Sequence, residues 1–235
     1  MDYTPYGSNA LLDNLASNPN PEVRAAVAEQ GYGLDRLMED PDWSVRKEVT
    51  KHDGFGWEKL MCDENPNVRE AIAYCGKGLD VLVDDKDPMV RASAVHLADD
   101  KYLEQLVNDS NLSVRYSVAK RGYGHDRLVN DENYEVREAV AEATTDKAVI
   151  ETLAQDTEWS VRAALAESGK ALNILIEDPV PAVRVAVAKG CNGDSDILKK
   201  LLKDDAYSVR ESARWEVPDE LKNELLKDDL NDVER

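Results

Sequence analysis

Large apolar and aromatic side chains are in short supply, with one Phe, four Trp and nine Tyr among 235 residues. One thick globular core cannot be filled from that stock; a thin core, renewed along the chain, can. Basic residues are also scarce. Lys and Arg number 29 against 48 Asp and Glu, for a formal charge of −19. That balance opposes direct binding to nucleic acid phosphates or to an anionic membrane surface. No apolar run approaches the roughly 18 residues of a membrane span, and the opening M-D-Y-T-P-Y-G has no basic-then-apolar signal. Cysteine is limited to Cys62, Cys75 and Cys191, odd in number and without a C-x-x-C pair. They read as reduced, mostly structural thiols of a cytoplasmic protein. The three histidines, His52, His96 and His125, keep no ligand spacing, and neither H-E-x-x-H nor G-x-S-x-G occurs. The D-D-K-D cluster at 84–87 does not match a calcium loop. Nothing pairs a nucleophile with a base, so the chain reads as non-enzymatic, without metal or cofactor.

What the chain has instead is one short phrase repeated. Its clearest copies are D-P-D-W-S-V-R-K-E-V from Asp40 and D-E-N-Y-E-V-R-E-A-V from Asp131. The Val-Arg pair recurs at Arg24, Arg46, Arg69, Arg91, Arg115, Arg137, Arg162, Arg184 and Arg210. Six residues before each Arg stands Asn18, Asp40, Asp63, Asp85, Asp109, Asp131, Asp156, Asp178 or Asp204; nine before it there is always a leucine. Three nearly invariant columns establish an internal repeat. Its spacing is 22, 23, 22, 24, 22, 25, 22 and 26 residues, measured from Arg to Arg.

Each unit reads as two helical pieces. In the second, B, the Asp is expected to cap the helix start, and Val before the Arg and the apolar residue three after it form the buried stripe. Small residues two after the Arg, such as Ala71 and Ala164, would let successive B helices approach closely. The first piece, A, carries the leucine. In the 22-residue intervals it follows a Gly-rich lead-in (Q-G-Y-G-L-D-R-L, C-G-K-G-L-D-V-L, R-G-Y-G-H-D-R-L, S-G-K-A-L-N-I-L). There it is short enough to be a 3₁₀ segment; in the longer intervals an ordinary short α-helix is expected. Ahead of the repeats, Ser8 or Asn9 is placed to cap a helix from Ala10. The resulting division is an N-terminal cap segment 1–10, nine repeats over 11–215, and a degenerate tenth over 216–235. In the tenth, Pro218 to Leu226 supply piece A, Asp228 the cap, Val233 the buried valine, and Glu234 replaces the Arg.

The phrase D-x4-V-R beside a short leucine helix resembles the HEAT-like repeats, and the 22–26-residue period resembles their short relatives, the leucine-rich repeat variant. The resemblance implies an all-α, right-handed α-solenoid of nine HEAT-like repeats plus the degenerate tenth. It also implies a hydrogen-bonded Asp/Arg ladder along the stack, here Asp40/Arg46, Asp63/Arg69, Asp85/Arg91, Asp109/Arg115, Asp131/Arg137, Asp156/Arg162, Asp178/Arg184 and Asp204/Arg210. Each Arg is expected to serve its own repeat's Asp and a neighbouring carbonyl. The leucine-rich repeat variant is associated with a cysteine-rich iron–sulfur segment; no such cluster exists here, so that cofactor is not carried over. HEAT-like proteins are mainly binding scaffolds, although some bind DNA, act on bases or serve as lyases on bilins, so fold leaves function open.

Two surfaces stand out for function. Counting from the repeat Arg, positions −3, +1 and +5 of helix B point away from the buried stripe and, by the resemblance, line the concave side. They hold Trp43, Lys47, Tyr74, His96, Tyr116, Lys120, Tyr134, Trp159, Tyr207 and Trp215, a mixed-charge aromatic setting of the kind found at interface hot spots. The bland reading is that an aromatic at −3 only shields the first helical turn. The second surface is acidic. Between A and B nearly every unit is acidic, as at Asp84, Asp85, Asp131, Glu132, Glu177 and Asp178. Such acids suit helix N-termini; stacked, they could instead imitate nucleic acid phosphates and occupy a nucleic-acid-binding protein, as some phage inhibitors do. The reading adopted is a monomeric, cytoplasmic scaffold whose protein partner has a basic surface. The mimic is the alternative, and a lyase or base-excision relative the remote one.

Overall fold

The computed structural model describes residues 6–52 and 55–225. They divide into two units, Met1–Arg121 and Gly122–Arg235. The first contains α1 (Tyr6–Leu15), α2 (Pro21–Glu29), α3 (Leu34–Leu37), α4 (Trp43–Val49), α5 (Trp57–Leu60), α6 (Pro66–Tyr74), α7 (Leu79–Leu82), α8 (Pro88–Ala94), α9 (Asp100–Leu106) and α10 (Leu112–Lys120). The second contains α11 (His125–Leu128), α12 (Tyr134–Ala143), α13 (Lys147–Leu153), α14 (Trp159–Glu167), α15 (Leu172–Leu175), α16 (Pro181–Gly190), α17 (Ser195–Leu201) and α18 (Tyr207–Glu216); a 3₁₀ turn, Asp219–Leu221, then leads into α19 (Lys222–Leu225). No strand occurs among the described residues. Even-numbered helices are the B pieces. In each unit every B helix packs on the next, α2 on α4 through to α10 and α12 on α14 through to α18, with the short A helices between them. Each unit is an α-solenoid of stacked helix pairs.

Burial follows the repeat columns. Val45, Val68, Val90 and Val114, and their counterparts Val136, Val161, Val183 and Val209, are fully buried, as are the leucines from Leu37 to Leu201 that precede them by eight residues. Residues of this size burying one stripe per helix explain how a chain poor in aromatics folds: each repeat covers its neighbour's stripe.

Several local expectations change. Helix α1 begins at Tyr6, so Ser8 and Asn9 lie inside it instead of capping it. The four-residue A helices are single α turns, not 3₁₀ segments, since Leu37 N–H reaches the Gly33 carbonyl at 2.9 Å and Leu82 N–H that of Gly78 at 2.9 Å. Trp57–Leu60, in the 23-residue interval, is equally short; the longer A helices, α9, α13 and α17, have seven residues. Of the tenth unit, Leu226, Asp228, Val233 and Glu234 lie outside the described residues.

Each of the four-residue A helices α3, α5, α7, α11 and α15 starts from a residue in the left-handed region. Gly33 has φ +65° there, but the equivalent in α15's lead-in is Ala171, at φ +52°. A Cβ in that conformation costs roughly 1–2 kcal/mol, more than the roughly 0.4–1 kcal/mol that glycine loses through unfolded-state entropy. Ala171→Gly is therefore expected to raise stability by roughly 0.5–1 kcal/mol. A urea denaturation midpoint that falls would contradict this.

The Asp column does not cap helix B. The N-cap lies two residues later, where Asn20, Asp42, Asn65, Asp87, Asn111 and Asn133 each accept from the N–H two residues on. The column Asp instead accepts the N–H of that cap residue, as Asp40 does from Asp42 at 2.9 Å and Asp85 from Asp87 at 2.8 Å. It braces the turn that presents the cap.

The ladder also runs differently from the within-repeat pairing. Arg69 Nη1 donates to the backbone carbonyl of its own Asp63 (2.8 Å), while Nε and Nη2 form a two-pronged bond to Asp85 of the next repeat (2.6 and 2.9 Å). The same fork joins Arg24 to Asp40, Arg46 to Asp63, and Arg91 to Asp109 in the first unit. In the second it joins Arg137 to Asp156, Arg162 to Asp178, and Arg184 to Asp204. Thus the Asp109 carboxylate is met by Arg91, and Arg115 Nη1 donates to the Asp109 backbone carbonyl at 2.8 Å. Arg210 likewise holds the Asp204 carbonyl. This direction accounts for Asn18: no repeat Arg precedes it, so no carboxylate is needed, and its side chain only braces the Asn20 N–H at 2.9 Å.

Burial pushes the Asp85 carboxyl up, but the Arg69 hydrogen bonds, the Asp87 N–H and attraction to Arg69 outweigh it and hold the group below the usual carboxylate range. The same balance holds Asp40, Asp63 and Asp109 down. No described buried side-chain nitrogen or oxygen lacks a hydrogen-bond partner. The ladder is fully satisfied, which is the condition under which buried charges are tolerated.

Candidate functional site

Helix B is only two to three turns long, so once its Val stripe is buried, few side chains remain to face away. Every residue at +5, from Glu29, Lys51, Tyr74 and His96 to Lys189 and Trp215, is exposed. Position +1 is different. Lys47, Ala92, Glu138 and Ala163 are half-buried there, because neighbouring B helices close over the middle of the face; Tyr116 stays exposed. At −3, the first helical residue, Trp43, Tyr134, Trp159 and Tyr207 are all exposed. Trp159 keeps 49% of its surface in solvent and Trp43 41%.

In the first unit these positions converge. The Tyr74 and His96 rings stack in parallel, 2° apart in plane with centroids 4.6 Å apart. With Met89, Tyr116, Lys120 and Arg121 they line a groove of about 520 Å³ across α6, α8 and α10. Lys120 Nζ stands 6.0 Å from the Tyr116 ring centre, within reach of a cation–π contact. In the second unit, ion pairs lie on or beside these positions. Lys189 Nζ bonds Glu167 at 2.9 Å, and Arg214 is paired with Glu211 beside Trp215, which is 85% exposed. Arg210 lies 5.8 Å from the Tyr207 ring.

The acidic residues between A and B fall into two sets. Asp85 and Asp178 are ladder members, turned inward and forked by Arg69 and Arg162. Asp84, Glu132 and Glu177 face solvent, but Glu177 is paired with Lys200 and Asp84 accepts from Gln105. Glu39 is paired likewise with Lys59 of the following A helix.

The remaining chemistry-bearing side chains do not assemble. His52 Nε2 meets the Ala28 carbonyl at 2.7 Å, closing the end of α2. His125 is half-buried at the start of α11. Cys191 is buried, and burial pushes its thiol up, whereas Cys62 and Cys75 are exposed, contrary to the expectation of mostly structural thiols. Among the described residues no three His, Cys, Asp or Glu side chains are grouped to hold a metal ion. No helix among them is long and apolar enough to cross a membrane.

No family model and no curated protein matches the chain. A solved structure described as a leucine-rich repeat variant with a novel repetitive protein structural motif does match. Its TM-score is 0.60 at 25% sequence identity, over 90% of this chain and 87% of that one. The chain resembles a leucine-rich repeat variant. That likeness covers the helical repeats and says nothing of a partner.

Met89, at −2, and Arg121, at +6, were missed by the three-position reading of the face. Both lie one residue from a chosen position, and a helix surface patch extends over the turn beside it. The signal was present in the sequence as a Met next to Pro88 and a Lys-Arg pair at 120–121.

Proposed function

We propose that the chain is a non-enzymatic protein-binding scaffold that engages a protein partner through its exposed B-helix face. The observation that carries this reading is the row of aromatics standing in solvent on B helices whose buried polar groups are otherwise fully paired. Trp43, Tyr116, Tyr134 and Trp159 each keep about 40–50% of their surface in solvent, and truncating such a residue at an interface centre commonly costs about 2 kcal/mol or more of binding. The solvent-facing acids between A and B contribute mainly to association rate, since exposed charges are screened at physiological salt.

The test compares two variants in affinity capture from the source lysate. Trp43→Ala, Tyr116→Ala, Tyr134→Ala and Trp159→Ala combined should lose the specific partner, with little change in thermal midpoint. Neutralising Asp84, Glu132 and Glu177 should leave capture intact. Should the acid variant lose the partner while the aromatic variant keeps it, phosphate mimicry is the correct account.

A further inference from the structure

The groove of the first unit has a composition unlike the rest of this chain. Acids outnumber bases 48 to 29 over the whole sequence, yet none of the described residues lining the groove is acidic. Small residues such as Ala92, Ser93 and Ser117 line it, its apolar and aromatic surface comes from Tyr74, His96, Met89 and Tyr116, and Lys120 and Arg121 supply its positive charge. Tyr74 is 57% and Met89 56% exposed, so a broad apolar platform is open to a ligand. The Tyr74–His96 stack holds both rings at a fixed angle, which lowers the ordering cost of binding against them.

Building on the scaffold reading, we infer that this groove binds a short acidic peptide segment of the partner. An aromatic or large aliphatic side chain would lie on the Tyr74–His96 and Tyr116 surface, and a neighbouring Asp or Glu would meet Arg121. The charge pattern selects this occupant. A basic peptide would face two cations, and the one carboxylate beside the lining, that of Glu70, accepts from Ser93 Oγ at 3.3 Å. A single-stranded nucleic acid could stack on the same rings, but it carries a phosphate at every nucleotide, and two permanent cations on a chain of net charge −19 are too few to offset them. One carboxylate beside one apolar anchor matches what the groove offers. The guanidinium of Arg121 can take that carboxylate with two parallel hydrogen bonds. The partner's binding segment is thus acidic and aromatic, even where the remainder of its surface is basic.

Surface-displayed random short peptides selected against the full chain provide the test, with the Tyr116→Ser/Arg121→Glu variant as counter-target. Enriched peptides are then synthesised and titrated by fluorescence anisotropy, beside an oligothymidylate. The expected peptides place Asp or Glu next to an aromatic or large aliphatic residue. Their affinity should fall by about tenfold or more in either Tyr116→Ser or Arg121→Glu, weaken with added salt, and be unchanged in Trp43→Ala/Trp159→Ala. Circular dichroism should give all variants the same thermal midpoint within error. Enrichment of basic or uncharged peptides, no enrichment over the counter-target, or oligothymidylate binding that Arg121→Glu abolishes would each overturn the inference. Peptides that lose binding only in Trp43→Ala/Trp159→Ala place the contact elsewhere on the face; the groove assignment then fails and the scaffold reading stands. Peptides that respond only to neutralised Asp84, Glu132 and Glu177 sink both.

Discussion

Replacing Gly190 with Ala is expected to destabilise the second unit by about 3 kcal/mol or more, although helix propensity alone argues the other way. Gly190 is the last residue of α16 and is buried against the end of α14. A Cβ built there would lie 1.9 Å from the Ala166 carbonyl oxygen and 2.9 Å from its carbon. Both are backbone atoms, so no side chain can turn aside, and the two helices must move apart. Separation would open the packing around Val187 and Leu165, which are fully buried on the facing helices. In an exposed helix interior the same substitution would stabilise by up to about 1 kcal/mol. The sign of the change in urea midpoint therefore decides: an unchanged or raised midpoint would mean that α14 and α16 do not meet this closely.

The second large effect is expected at the ladder. Arg69→Ala should cost about 2–4 kcal/mol, because it strips the two-pronged partner from the buried Asp85 and leaves the Asp63 carbonyl without its donor. Arg69→Lys should recover little, since an ammonium cannot reproduce the planar fork that serves a carboxylate and a carbonyl together. Lys59→Ala removes an ion pair of similar length to Glu39, but both partners are more than half exposed, and the expected change is about 0–1 kcal/mol. Acid supplies an independent readout. In the wild type the Asp85 carboxyl is held below its ordinary value of 3.8, so its contribution is fully present above that pH and is lost as pH falls through the folded value. Without Arg69 that support is gone, and protonation relieves the stranded carboxylate. The stability gap between wild type and Arg69→Ala should be widest near neutral pH and narrow below about pH 4, leaving the pH-independent loss at the Asp63 carbonyl. A gap that stays constant down to acid pH would remove the electrostatic basis of the ladder.

Much of this protein can be read from the order of its residues. The spacing of Val, Leu and Arg is set by the helical period, and each repeat must bury the same stripe; nine copies of the phrase therefore locate the B helices, and the Val and Leu columns locate the core. The outward positions follow from the same geometry, so each of Trp43, Tyr116, Tyr134 and Trp159 could be assigned to the solvent side of its own helix, where it is exposed.

What the stacking alone decided are the relations between repeats. An Asp and an Arg six residues apart in eight of the nine copies are compatible with pairing inside a repeat or across two. Only the translation from one B helix to the next shows that Arg69 faces Asp85 and merely holds the carbonyl of Asp63. The N-cap sits two residues beyond the column even at Asn20, where no Arg precedes the column residue, so it is the turn braced by the column side chain that sets the cap. Gly190 looks like a weak point within its own helix and becomes a requirement only when the Ala166 carbonyl is brought against it. Tyr74, His96 and Tyr116 are more than 20 residues apart in sequence from first to last, and their groove exists because α6, α8 and α10 pack side by side. Local periodicity determines what a residue's own helix does with it; which group it meets on the next helix depends on the stacking distance and rotation, which no single repeat encodes.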